Sequence, residues 1–123
     1  MLDELTVEKS FWACHKNTGD KKHHSHEYIA EWTCTFVSLP DDAADTMENL
    51  LGIAITSLNG ANLNELFEED YRCSFRAPSL VNVARYLRMR LTNALTPAPT
   101  SSYVIVTEID SSDRSQSAVK MVA

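Results

Sequence analysis

Cysteine is sparse in this chain. Cys14, Cys34 and Cys73 are an odd number with no C-x-x-C spacing, so neither a disulfide framework nor a cysteine zinc site is indicated, and reduced thiols in a cytoplasm fit better. Long apolar runs are missing too. The longest nearly apolar stretch, Leu50 to Ile55, falls far short of the roughly 20 residues that cross a bilayer. The start, Met1-Leu2-Asp3-Glu4-Leu5, has neither the basic opening nor the apolar run of a signal peptide. A soluble, cytoplasmic protein with no membrane partner is expected. Positive charge is also short: a net charge of -6 and a pI near 5.1 argue against a nucleic-acid groove, which needs clustered Lys and Arg. The main basic cluster, Arg85, Arg88 and Arg90, has helical spacing and reads as a solvated helix face.

What remains is the material of one compact domain over residues 1–123. A chain of 123 residues with 44% hydrophobic content can bury a core, with no length for a second domain. Leu5 to His15 reads as a strand with Leu5, Val7, Phe11, Ala13 and His15 on one face and Cys14 on the other. A polar connection from Lys16 to Lys22 leads to a second strand, Glu27 to Val37, rich in aromatic and β-branched residues.

From Asp45 to Leu58 the apolar positions Met47, Leu50, Leu51, Ala54, Ile55 and Leu58 make the stripe of an amphipathic helix ended by Gly60. A loop containing Leu63-Asn64-Glu65-Leu66 is expected next. Ser79 then reads as the N-cap of a second helix, which Thr96-Pro97 stops. Tyr103 to Ile109 and Ser115 to Val122 are the last two strands, joined at Asp110-Ser111-Ser112-Asp113. The order ββααββ gives an α+β fold, an antiparallel sheet with both helices on one face. Tyr103 to Val106 is apolar on both faces, which suggests that a second subunit covers the helix-free side.

The chemistry concentrates at His23-His24-Ser25-His26. In extended chain, His24 and His26 project to the same side, and His15 at the end of the preceding strand can meet them in a hairpin. Three neutral imidazoles with a fourth position open are the arrangement of catalytic zinc. The plain alternative, a polar Lys-Lys-His-His-Ser-His loop, is about as good on spacing alone.

These residues, in this order, resemble the 6-pyruvoyl-tetrahydropterin synthase and 6-carboxy-tetrahydropterin synthase family over nearly the whole chain. Ala13-Cys14-His15 is similar to the end of that family's first strand, and His24-Ser25-His26-Glu27-Tyr28 to its H-G-H-N-Y zinc motif. Leu58 to Glu65 resembles its L-D-H-x-x-L-N-E segment, Ala77 to Ala84 its N-P-T-x-E-N-x-A helix start, and Thr107-Glu108 its pterin-anchoring strand.

The resemblance implies a tunnelling fold (T-fold) whose trimer closes a barrel, often paired into a hexamer. It also implies a Zn2+-dependent carbon–oxygen lyase acting on a pterin such as dihydroneopterin triphosphate, with His15, His24 and His26 as zinc ligands. Thr107 and Glu108 would bind the pterin or a purine-like ring. A carboxylate suits that role because it accepts two hydrogen bonds from an amino-pyrimidine edge.

The sequence departs from the pattern at Asp20, where the family has its catalytic cysteine, at Asn59 and Gly60, where it has an aspartate-histidine pair, and at Val81. Asp20 and His23 are the candidates for a relocated acid or base. A non-catalytic zinc- and pterin-binding homologue is the alternative reading.

Overall fold

In the computed structural model, residues 2–16, 19–110 and 115–122 are described. The elements are β1 (Asp3–His15), β2 (His24–Phe36), α1 (Ala43–Thr56), α2 (Leu63–Glu69), α3 (Leu80–Leu91), β3 (Ser101–Ile109) and β4 (Gln116–Val122). The strands make one antiparallel sheet in the order β1-β2-β3-β4. Each strand neighbours the one before it in the chain, so the two expected hairpins are joined through β2 and β3.

Period-two alternation decides what the sheet buries. Val7, Phe11 and Ala13 of β1, Tyr28, Ala30, Trp32, Cys34 and Phe36 of β2, and Val104 and Val106 of β3 are buried on the helix-facing side. They meet Met47, Leu51, Ala54 and Ile55 of α1, Leu63 and Phe67 of α2, and Val83, Ala84, Tyr86, Leu87 and Leu91 of α3 in one core. Each large side chain fully withdrawn from water contributes about 1.5–3 kcal/mol. Ser79 caps α3 as expected, its Oγ accepting from the Asn82 N–H at 3.2 Å.

Three differences from the sequence reading exceed two residues. The segment read as a loop at Leu63-Asn64-Glu65-Leu66 is the helix α2, started by Asn62, whose Oδ1 accepts from the Glu65 N–H. The described residues thus hold three helices rather than two. β2 begins at His24 instead of Glu27, because pairing with β1 carries the polar His-Ser-His run into the ladder, His15 opposite His24 and Ala13 opposite His26. Helix α3 ends at Leu91, well before Pro97, and Asn93 in the left-handed region (φ 62°) turns the chain. Within the connection after β1, positions 17 and 18 lie outside the described residues, as do positions 111–113 of the expected β3–β4 turn.

Segment 59–64 braces the edge of β1. The Trp12 N–H donates to Asn59 Oδ1 at 3.1 Å, the Gly60 N–H to the Trp12 carbonyl at 2.6 Å, and the Cys14 N–H to the Ala61 carbonyl at 2.9 Å. Asn64 completes the brace: its Oδ1 accepts from the Lys16 N–H at 2.8 Å and its Nδ2 donates to the Lys16 carbonyl at 2.9 Å. The outward edge groups of Trp12 and Lys16 and the N–H of Cys14 are thereby satisfied, which fixes the backbone on both sides of His15.

Candidate functional site

The helix-facing side of the sheet changes character along its length. One row is apolar from β2 to β4, with Ala30, Val106 and Val119 in register beside Lys9 of β1. The next row reads Phe11, Tyr28, Glu108 and Ser117 from β1 to β4. Beyond it Ala13 stands opposite His26, and finally His15 opposite His24. Polar groups therefore gather at one end of a face that is otherwise core.

His15 is buried, at 7% relative exposure. Its Nδ1–H donates to the Pro78 carbonyl, just before α3, at 3.0 Å. That bond fixes the tautomer and leaves the Nε2 lone pair free. The rings of His15 and His26 meet edge-on with centroids 4.8 Å apart. His26 Nε2 lies 3.9 Å from Glu108 Oε1, and its buried Nδ1 has no hydrogen-bond partner among the described residues.

Tyr28 completes the arrangement. It is stacked on Phe11 at 5.1 Å and its hydroxyl donates to Glu108 Oε1 at 3.0 Å. Burial, with the negative charge of Glu108 next in importance, pushes the Tyr28 phenol far above its ordinary value and keeps it a donor. A cavity of about 240 Å³ opens over this end, lined by His15, His26, Glu108, Asp110, Ser115 and Ser117.

One ligand atom from each of His15, His26 and Glu108 lies within 4.8 Å of the others. His15 and His26 would give zinc two nitrogen donors, with the Glu108 carboxylate beside them. Metal–ligand bonds of about 2.0–2.2 Å would put tetrahedral donors roughly 3.3 Å apart, so the side chains would draw inward on binding. The free Nε2 of His15 and the unpaired nitrogen of His26 fit such an ion.

The other candidates are placed differently. His24 shares the face of His15 in the ladder, yet its side chain is 55% exposed, with Nε2 3.6 Å from Asp20 Oδ2. His23 Nε2 accepts from Asn62 Nδ2 at 3.0 Å on the exposed surface. None of Asp20, His23 and His24 lines the cavity. Thr107 pairs with Ile29 and Ala118 in the ladder, and alternation sends it to the opposite side of the sheet from Glu108. Sequence reasoning missed Tyr28 as the partner of Glu108, although it sits in the His24 to Tyr28 motif. It also missed the Pro78 carbonyl, which carries no side-chain signal.

No protein-family profile matches the chain, and no curated protein matches it in sequence. Solved structures do. The chain is similar to the Caenorhabditis elegans 6-pyruvoyl tetrahydropterin synthase with a TM-score of 0.69 at 13% identity, covering 100% of this chain and 96% of that one. The Plasmodium falciparum 6-pyruvoyl tetrahydropterin synthase gives 0.67 at 14% identity, covering 99% of each chain. A Plasmodium vivax 6-pyruvoyltetrahydropterin synthase, with a catalytic glutamate replaced by alanine, gives 0.57 at 17% identity over 100% of this chain and 99% of that one. The architecture is thus an α+β T-fold of the kind these synthases adopt, end to end.

Proposed function

We propose that this protein is a zinc-dependent pterin-processing lyase acting on a dihydroneopterin triphosphate-like substrate. The observation that carries the reading is the convergence of His15, His26 and Glu108 on one cavity, in a fold shared over its full length with 6-pyruvoyl tetrahydropterin synthases.

In this reading His15, His26 and His24 hold the zinc, His24 turning in from the register position opposite His15. Bound zinc would supply Lewis acidity toward a substrate hydroxyl or carbonyl. Glu108, steadied by the Tyr28 hydroxyl, is left to accept hydrogen bonds from the amino-pyrimidine edge. Asp20 is the candidate for proton transfer, with His23 as the second; both neighbour His24 in the chain. A catalytic glutamate in the P. vivax enzyme makes a carboxylate in that role chemically reasonable. Trimers or hexamers would cover the helix-free face, where Ile29, Tyr103 and Ile105 are half-buried in the single chain.

A second reading, a zinc- and pterin-binding protein without turnover, is favoured by one observation. Asn59 and Gly60, where the resembling family carries an aspartate-histidine pair, are committed to bracing Trp12. Turnover of 7,8-dihydroneopterin triphosphate by zinc-loaded protein, resolved by chromatography beside a chelated control, separates the two. Zinc-dependent product supports the lyase. Folded, zinc-replete protein that binds the pterin and leaves it unchanged supports the binder.

A further inference from the structure

The arginines that read as one solvated patch in the sequence part company in the structure. Arg90 turns to Tyr86, its guanidinium carbon 6.0 Å from the ring centroid and Nη1 3.5 Å from the hydroxyl. Arg85 and Arg88 instead line a cavity of about 550 Å³ on the outer side of α3, where Arg72 from the α2–α3 connection joins them. Its remaining lining includes the hydroxyl residues Ser74 and Thr92 and the apolar Phe75 and Met89, and contains no carboxylate.

Both walls are held in place. Arg85 Nη1 donates to Asn82 Oδ1 at 2.8 Å, and Asn82, itself buried, donates from Nδ2 to the Ala77 carbonyl at 2.9 Å. On the opposite wall a single nitrogen, Nη1 of Arg76, donates to the carbonyls of Phe67, Cys73 and Phe75 at 2.9–3.0 Å. That bond set pins the connection carrying Arg72, Ser74 and Phe75.

The charge is only partly spent. Arg72 is neutralised by Asp70, with two side-chain bonds of 3.0 and 2.7 Å. Arg85 is bound to a neutral amide, so its positive charge is uncompensated by that contact. Arg88 forms no side-chain hydrogen bond or ion pair among the described residues. Two uncompensated guanidiniums beside an apolar wall, on a chain of net charge -6, are a local reversal of sign. Guanidinium forks match phosphate oxygens bidentately, and prior fixing of Arg85 by Asn82 reduces the ordering cost of binding on that side.

We propose that this pocket binds a small phosphorylated molecule, its phosphates on Arg85 and Arg88 and its planar or apolar part against Phe75 and Met89. The site is separate from the His15, His26 and Glu108 cavity, with which it shares no lining residue.

Calorimetric titration with ADP and with inorganic tripolyphosphate tests the assignment on the intact protein. Arg85→Gln/Arg88→Gln should weaken ADP binding on the order of a hundredfold, since two charge-assisted hydrogen bonds are lost and each is worth about a factor of ten. Arg90→Gln should leave it unchanged. Tripolyphosphate should bind more weakly than ADP, and Phe75→Leu should narrow that difference. Both arginines are exposed, and circular dichroism checks that the variants fold. Absence of saturable ADP binding up to about 10 mM, or equal affinity in the wild type and the Arg85/Arg88 double variant, would overturn the proposal. Tripolyphosphate binding as tight as ADP would remove Phe75 and Met89 from it.

Discussion

The Tyr28 hydroxyl donates a 3.0 Å hydrogen bond to Oε1 of Glu108, the residue directly opposite it across the β2–β3 ladder. Eighty positions of sequence separate the two. The bond holds one carboxylate oxygen and leaves the other for a ligand, on a side chain whose neighbour is His26.

This pair has a pH signature. Tyr28 keeps its proton in the folded state because of burial first and Glu108 second, while in the unfolded chain it titrates near its ordinary value of 10.0. A folded pKa above the unfolded one contributes stability that is fully present below the unfolded value and declines as pH rises past it. Unfolding midpoints in urea should therefore fall as pH rises above 10.0, more steeply in the wild type than in Tyr28→Phe. At neutral pH the variant should lose about 1.5–3 kcal/mol, the contribution of a hydrogen bond to a charged group. Parallel pH curves for the two proteins would rule out this role for Tyr28.

Asn64 should matter more than its position in a short helix suggests. Both its hydrogen bonds go to the backbone of Lys16, next to His15. Asn64→Ala should cost about 1–3 kcal/mol by leaving partly buried backbone groups unpaired. Loosening the chain beside His15 should also weaken metal binding in competition with a chromophoric chelator. Stability and metal affinity equal to wild type would show that the brace is dispensable.

The three thiols should differ sharply in reactivity. Cys34 is fully buried, and desolvation pushes its pKa up to about 12. Cys73 is buried and raised as well, again chiefly by desolvation. Cys14 alone of the three is partly exposed. Since thiolate content and access control labelling, a thiol reagent at neutral pH should modify native protein at Cys14 alone. Mass spectrometry locates the adduct, and early labelling of Cys34 would contradict the packing of β2.

The sequence shows the fold's periodic parts and hides its polar ones. Helix α1 and the Ser79 cap of α3 are readable because apolar spacing and a side-chain cap are local signals. Helix α2 escapes notice, since its buried Leu63 and Phe67 supply one i, i+4 pair and no longer period. The start of β2 at His24 is hidden as well: His-Ser-His has no strand propensity of its own, and pairing with β1 creates the strand.

The site divides along the same line. That His15 and His26 meet follows from a hairpin and is readable. The approach of Glu108 to His26 depends on the register between β2 and β3, which only the assembled sheet defines. The Thr107-Glu108 pair is readable as a motif, while the alternation that separates its two members across the sheet is easily overlooked in a motif. The outward turn of His24 toward Asp20 is a side-chain matter that strand spacing leaves open.

In the proposed function the polar end of the sheet is a metal centre built on His15 and His26. Zinc stoichiometry of purified, zinc-equilibrated protein, measured by mass spectrometry of the metal beside His15→Ala, His26→Ala, His24→Ala and Glu108→Gln, tests it most directly. About one zinc per chain is expected in the wild type, with near-complete loss in the His15, His26 and His24 variants and retention in Glu108→Gln. Equal, sub-stoichiometric zinc in the wild type and in the His15 and His26 variants would contradict it.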